Sequence, residues 1–423
     1  MEENHQNTLN FERPPPEIHK RLILQSDFDE ALKEPEGKSW VSFKSPGNPT
    51  VYGELKSNGL SGEGIPYVTG SAGFDVNKVT EKSIEIAYRV NETHIERKFL
   101  APHKNFKNVH TKGKSIHCLD VSAGGLGVSS DSEGKLKIWE TKNGEVRRLL
   151  EGHLGDVYTC RLFPSGIVVL SGGSDMMLKI WSAETGQCVA TLTGHKASIL
   201  DTSIIDRGRN IISCSKDGTS KLWDCGTQTC LSTYQCEAGI VNCCDIAAMW
   251  ERFHLGQPDE PNSEREVGTT GKILILGCDN KTVKAFGIHS KKKIWDITDC
   301  IFDAVTCCKF ISPVMFICGQ QDGHMTCFDI RNPSKCVKSW CESRGPVLSL
   351  LNCKPGYISS HGDGSCHYME HLFDTTVELT GPDCDPVYSV VDDGKYLYTA
   401  CRDSIIRKYD MSDVLSIIEV FGF

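Results

Sequence analysis

A chain of 423 residues, 39% hydrophobic and 24% charged, could hold two or three folded domains. Its net charge of −9 and pI near 5.9 argue against nucleic acid as the main partner, because phosphate contact needs a clustered basic excess. No apolar run reaches the ~18 residues a membrane-spanning helix needs. The start is acidic and Asn-rich, unlike a signal peptide, and a soluble protein of the cytoplasm and nucleus is expected. None of the 21 cysteines stands in C-x-x-C spacing. They read as small buried thiols of a reducing compartment rather than zinc ligands or a disulfide framework.

In chain order, residues 1–20 are polar, contain Pro14-Pro15-Pro16 and read as a disordered tail. Ser26, with Asp29 three residues on, predicts a capped short helix that Pro35 and Gly37 end. A small α+β domain is expected over 21–105, with strands at Trp40 to Phe43, Thr50 to Leu55, Ile84 to Tyr88 and Glu96 to Leu100, and loops from Ser57 to Gly73. Gly62, Gly64 and Gly70 lack the spacing of a dinucleotide fingerprint, and no helix follows them. Gly113-Lys114-Ser115 ends like a phosphate loop, but Asn108 stands where the first glycine is required.

The middle of the chain repeats. Ser129, Ser171 and Ser213 stand 42 residues apart, as do Glu133, Asp175 and Asp217, and Trp139, Trp181 and Trp223; Gly152-His153 returns as Gly194-His195. Within one unit, Val157 to Leu162, Ile167 to Leu170, Leu178 to Trp181 and Cys188 to Leu192 read as four short strands separated by turns. Such a unit cannot bury both sheet faces alone, so units must pack radially into a β-propeller. First strands near Ile116, Val157, Ile199, Ile240, Ala304, Val347 and Val387 predict seven blades over 106–412.

The recurring polar residues have a structural use. In each blade the indole N–H can reach the serine, the serine the histidine and the histidine the acid, a buried chain that is costly if incomplete. Two complete sets are expected: His153, Ser171, Asp175, Trp181 and His195, Ser213, Asp217, Trp223. Ser, His and Asp also suggest a nucleophilic triad, but a set that recurs at fixed period, with a tryptophan on the hydroxyl, points to scaffolding. No catalytic residue, metal site or cofactor is expected. The Gly-His pairs and the endings Lys179-Ile180-Trp181 and Lys221-Leu222-Trp223-Asp224 resemble the WD-repeat family. Later units keep Asp322, Asp363 and Asp403, but Cys318, Ser359 and Thr399 precede them and Phe328, Met369 and Tyr409 follow. Apolar packing is expected to hold those blades.

Unit four carries an insertion over 248–271, rich in Pro, Glu, Asn and Gly, read as a flexible loop in preference to a contact element. The missing outer strand of the seventh blade is expected from Phe99 to Val109 or from Leu415 to Val420, and 413–423 form a C-terminal tail.

Beyond the repeats, Ser26 to Leu32, Gly124 to Ser130, Asp206 to Ser213, Ser263 to Thr269 and Glu378 to Tyr388 resemble the proteasomal ATPase-associated factor family. That resemblance implies a non-enzymatic assembly chaperone of the proteasome regulatory particle. Its propeller would hold the C-terminal domain of an AAA-ATPase subunit and restrain premature docking on the proteolytic core. Nucleic acid and membrane are not expected partners, and the free protein is expected to be a monomer. Asp156, Asp299, Asp303, Asp383 and Asp385, on loops of one inferred face, are the candidate contacts with basic ATPase residues. The alternative is a substrate receptor of a cullin-RING ubiquitin ligase, since Phe328-Asp329-Ile330-Arg331 resembles a W-D-x-R adaptor box with Phe for Trp.

Overall fold

A computed structural model describes residues 17–18, 20–90, 93–237, 239–249, 253–341, 343–370 and 374–415. Residues 1–16 of the expected tail and 416–423 at the C-terminus lie outside the described residues.

Short strands dominate because apolar β-branched runs alternate with Gly, Asp and Asn turns, which end most strands after five to eight residues. Seven of them, Ile116–Val121, Val157–Leu162, Ile199–Ile205, Val241–Ala248, Val305–Phe310, Val347–Cys353 and Val387–Asp392, each start an antiparallel sheet whose strands follow in chain order. Each of these inner strands touches the next, and the last touches the first, so the described residues form a closed ring of seven blades. Blade cores are buried on both faces. Val169, Leu170, Leu178 and Trp181 of blade 2 are all fully buried, which is why the strands read as continuous apolar runs.

Blade 7 has three strands of its own, and Lys104–Phe106 supplies the fourth, pairing antiparallel with Ile406–Asp410. The closing strand comes from before blade 1, so the expected boundary at 105/106 falls inside it. Phe106 then packs on Trp139 of blade 1, with ring centroids 5.3 Å apart. At the other end of the chain, Met411–Leu415 is one turn of helix against blade 7.

The N-terminal segment departs from expectation in three ways. First, Glu17–Ile18 pairs in parallel with Trp340 and Cys341 at the edge of blade 5, so the expected tail contributes a strand there. Second, the 57–73 stretch holds two strands, the end of Val51–Leu60 and Pro66–Gly70, because their backbone bonds complete a sheet with Arg21–Leu24 and Lys38–Lys44. Third, the helix is only Phe28–Ala31, its N-cap is Asp27 rather than Ser26, and no side chain caps it; the Gln25 amide donates to Asp27 instead. The domain is thus nearly all β, around Leu22, Val41, Leu55, Ile84, Ile86 and Phe99. Its strand Thr93–Leu100 pairs in parallel with Asp374–Leu379, the outer strand of blade 6, and one continuous sheet joins domain to propeller.

The insertion after Val241–Ala248 is fastened, contrary to the flexible reading. Val267 N–H donates to Asn210 Oδ1 of blade 3 at 2.6 Å, Glu266 pairs with Lys291 at 2.8 Å, Lys272 pairs with Asp206, and the Ser290 hydroxyl donates to the Leu255 carbonyl. Leu255 is buried beneath it. Residues 250–252 lie outside the described residues.

Candidate partner-binding face

One rim of the ring carries the loops that enter each blade and the turns between second and third strands. The polar chains bind these two sets together. In blade 2, His153 Nδ1 donates to Asp175 at 2.8 Å, the Ser171 hydroxyl donates to His153 Nε2 at 2.7 Å, and Trp181 Nε1 donates to Ser171 at 2.8 Å. Asp175 also accepts the N–H groups of Leu154 and Met177, so one carboxylate pins both loop and turn. Blade 3 repeats this with His195, Asp217, Ser213 and Trp223. Ser171 and Ser213 are fully buried, and each hydroxyl already serves an indole and an imidazole.

Blade 1 has a third set that the regular spacing misassigns. The 42-residue spacing puts Glu133 in the acid position, but His110 Nδ1 meets Asp131 at 2.9 Å, while His110 Nε2 and Trp139 Nε1 share Ser129. Glu133 instead pairs with Lys114 and Lys135 on the surface. The difference lies at the end of the second strand: Asp131, opposite Ile116, holds the place that Gly173 holds opposite Val157 and Ser215 opposite Ile199, so the acid stands two residues after the serine rather than four. Burial lowers the pKa of His110, His153 and His195 against the pull of their aspartates, so each imidazole is neutral with one N–H to give. Burial pushes Asp217 upward, but hydrogen bonds from Thr219, the Lys196 N–H and His195 outweigh it and hold it low.

The worn blades are not left to apolar packing alone. In blade 5 the Gln320 side-chain oxygen Oε1 accepts the N–H groups of Phe302 and Asp303. In blade 6 the buried Arg344 guanidinium meets Glu378 at 3.2 Å and Asp363 at 3.9 Å. In blade 7 Arg407 reaches Asp403 and the Gly381 carbonyl. Gln320 thus holds the entering loop as an acceptor, while Arg344 and Arg407 tie entering loop to turn acid as donors. Sequence spacing marks the acids but not these residues: Gln320 ends a second strand, Arg344 lies in an entering loop and Arg407 in a third strand.

The five candidate acids all lie on entering loops, in different states. Asp385 is ion-paired with Arg402 at 2.8 Å. Asp303 accepts the N–H of Ala304, and Asp156 lies 3.5 Å from the Tyr158 hydroxyl. Asp299 and Asp383 are exposed and have no side-chain partner among the described residues. On the adaptor-box stretch, Arg331 forks onto Asp329 of its own turn with contacts of 2.9 and 3.0 Å from Nε.

The same rim opens into the central channel, a cavity of about 330 Å³ lined by the inner strands. Every inner strand bulges after its first residue, which turns His117, Tyr158, Asn242, Thr306 and Tyr388 into the channel wall. Further down, aspartates bridge neighbouring blades. Asp201 takes Arg161 of blade 2 at 3.0 Å and the Cys244 N–H of blade 4 at 3.1 Å. Asp245 takes Lys309 and the Phe310 N–H of blade 5, both at 2.8 Å. Sequence reading missed this belt; an aspartate inside an apolar inner strand was its signal. Among the described residues no three His, Cys, Asp or Glu side chains gather as metal ligands would.

Comparison with known proteins agrees with this geometry. The WD domain, G-beta repeat family matches residues 144–182, 186–224 and 374–410. Proteasomal ATPase-associated factor 1 of Homo sapiens is 50% identical over 394 residues, covering 93% of this chain and 99% of the relative. The Gallus gallus protein of that name is 51% identical with the same coverage. Probable proteasomal ATPase-associated factor 1 of Dictyostelium discoideum is 36% identical over 92% of this chain and 95% of its own. No enzymatic family is indicated. With half its residues shared along almost its whole length, this WD-repeat propeller chain belongs to the proteasomal ATPase-associated factor 1 family.

Proposed function

We propose that this protein is a non-enzymatic chaperone for assembly of the proteasome regulatory particle. It binds the C-terminal domain of a proteasomal AAA-ATPase subunit and restrains premature association with the proteolytic core, acting as a monomer in the cytoplasm and nucleus without nucleic acid or membrane. The observation that carries this reading is the likeness, over 93% of the chain, to relatives named for association with proteasomal ATPases. The acidic rim supports it. Asp299 and Asp383 present uncompensated charge on loops anchored to rigid blades, the arrangement that speeds encounter with a basic partner. The adaptor-box alternative gains no support from Arg331, whose guanidinium is occupied by Asp329.

Affinity purification of the tagged chain from lysate, with sizing of the complexes, tests the reading. Proteasomal ATPases in subcomplexes smaller than the finished proteasome are expected; a cullin-RING adaptor without ATPases would overturn it. Asp299→Lys with Asp383→Lys breaks no contact of the fold. It is expected to slow association with the ATPase subunit and flatten its salt dependence, and an unchanged on-rate removes these acids from the interface.

A further inference from the structure

The entering loop of blade 5 carries a thiol where its counterparts carry glycine. Gly152 and Gly194 lie five residues before their inner strands, and a Cβ on either would come within 3.2 and 3.3 Å of the indole edge of Trp181 and Trp223. Blade 5 has Cys300 at this position and the shorter Phe328 in place of the indole, so a side chain fits, and Cys300 adopts φ 61 to place it. On the outer strand, Cys336 stands opposite Phe328 as Cys188 stands opposite Trp181 and Cys230 opposite Trp223. Cys188 and Cys230 turn their sulfurs to backbone carbonyls. Cys336 Sγ instead lies 2.8 Å from Cys300 Sγ. Both cysteines are half-buried, within reach of a small solute.

We infer that Cys300 and Cys336 are a redox modification site that hydrogen peroxide closes to a disulfide. Cys300 thiolate attacks a peroxide oxygen, the O–O bond breaks, and the hydroxide released takes a proton to leave as water, giving a sulfenic acid. Cys336 sulfur then attacks Cys300 Sγ, the S–O bond breaks, and the sulfenic oxygen leaves as a second water carrying the Cys336 proton. Two thiols and one peroxide become one disulfide and two waters. Burial pushes the Cys336 thiol up to about 12, which suits it to the resolving role rather than first attack. The bond ties the loop bearing Asp299 and Asp303 to the outer strand of blade 5.

The test is a brief exposure of the reduced full-length protein to hydrogen peroxide, alkylation with iodoacetamide, and mass spectrometry of a non-reducing digest. A Cys300–Cys336 linked peptide lacking two hydrogens and released by dithiothreitol is expected, with Cys188 and Cys230 alkylated in the same sample. Cys336→Ser is expected to leave Cys300 as a sulfenic acid trapped by dimedone. Full alkylation of both Cys300 and Cys336 after exposure would overturn the assignment, as would prior linkage of the buried Cys118 and Cys160, whose sulfurs lie 3.0 Å apart.

Discussion

Ser171 shows what one hydroxyl does in this fold. It is fully buried and joins Trp181 to His153, so Ser171→Ala strands an indole N–H and an imidazole nitrogen at once. Each orphan costs about 1–3 kcal/mol. Urea unfolding should therefore show a loss of at least about 1 kcal/mol, and a midpoint unchanged from wild type would mean that the chain is not structural. The histidines set a pH window. Burial holds His110, His153 and His195 below the ordinary imidazole value, so the unfolded chain takes up protons first as pH falls. Stability is full above about pH 6.5 and declines below it. Asp131 and Asp217, held low by hydrogen bonds that outweigh burial, contribute stability that is present above about pH 4 and lost below it. Melting temperature should thus drop in two stages on acidification. His153→Gln should weaken the first stage, and an identical profile in that variant would sink the assignment.

At the scale of elements, closure rests on a three-residue strand. Lys104–Phe106 has few backbone bonds to hold blade 7, and its anchor is Phe106, nearly buried against Trp139. Truncation in such a site costs about 3–5 kcal/mol. Phe106→Ala should lower stability by that order in equilibrium unfolding and, if the strand detaches, raise amide exchange first in Ile406–Asp410. Exchange that rises uniformly over all blades would instead mean that closure and blades unfold as one unit. The worn blades teach a related lesson. Arg344 reaches its turn acid from the entering loop and Arg407 from the third strand, so the fastening survives although the tetrad residues do not.

The whole molecule is one hydrogen-bonded body rather than a disk with a loose appendage. The N-terminal domain shares a sheet with blade 6 through Val377–Lys98, Glu378–Phe99 and Leu379–Leu100, and Phe99 and Leu100 are fully buried. Amides of Lys98–Leu100 and Val377–Leu379 should exchange at matching, slow rates. Fast exchange on the N-terminal side alone would show a domain that opens independently.

Blade number and inner-strand starts were legible in the sequence because each repeat spells out its own turns and apolar runs within about forty residues. So were the polar chains of blades 2 and 3, where spacing is regular. The acid of blade 1 was not, since the repeat spacing marks Glu133 while His110 meets Asp131, at the strand end where blades 2 and 3 carry Gly173 and Ser215. Nor were the strands within 57–73, whose glycines read as loop until neighbouring strands bonded their backbone. The fastened insertion, the choice of Lys104–Phe106 within Phe99 to Val109 over Leu415 to Val420 as closing strand, the parallel seam to blade 6 and the Cys300–Cys336 contact belong to tertiary structure alone. Each joins segments distant in the chain or without a repeating pattern, and only the packed ring decides which backbone edges and side chains meet.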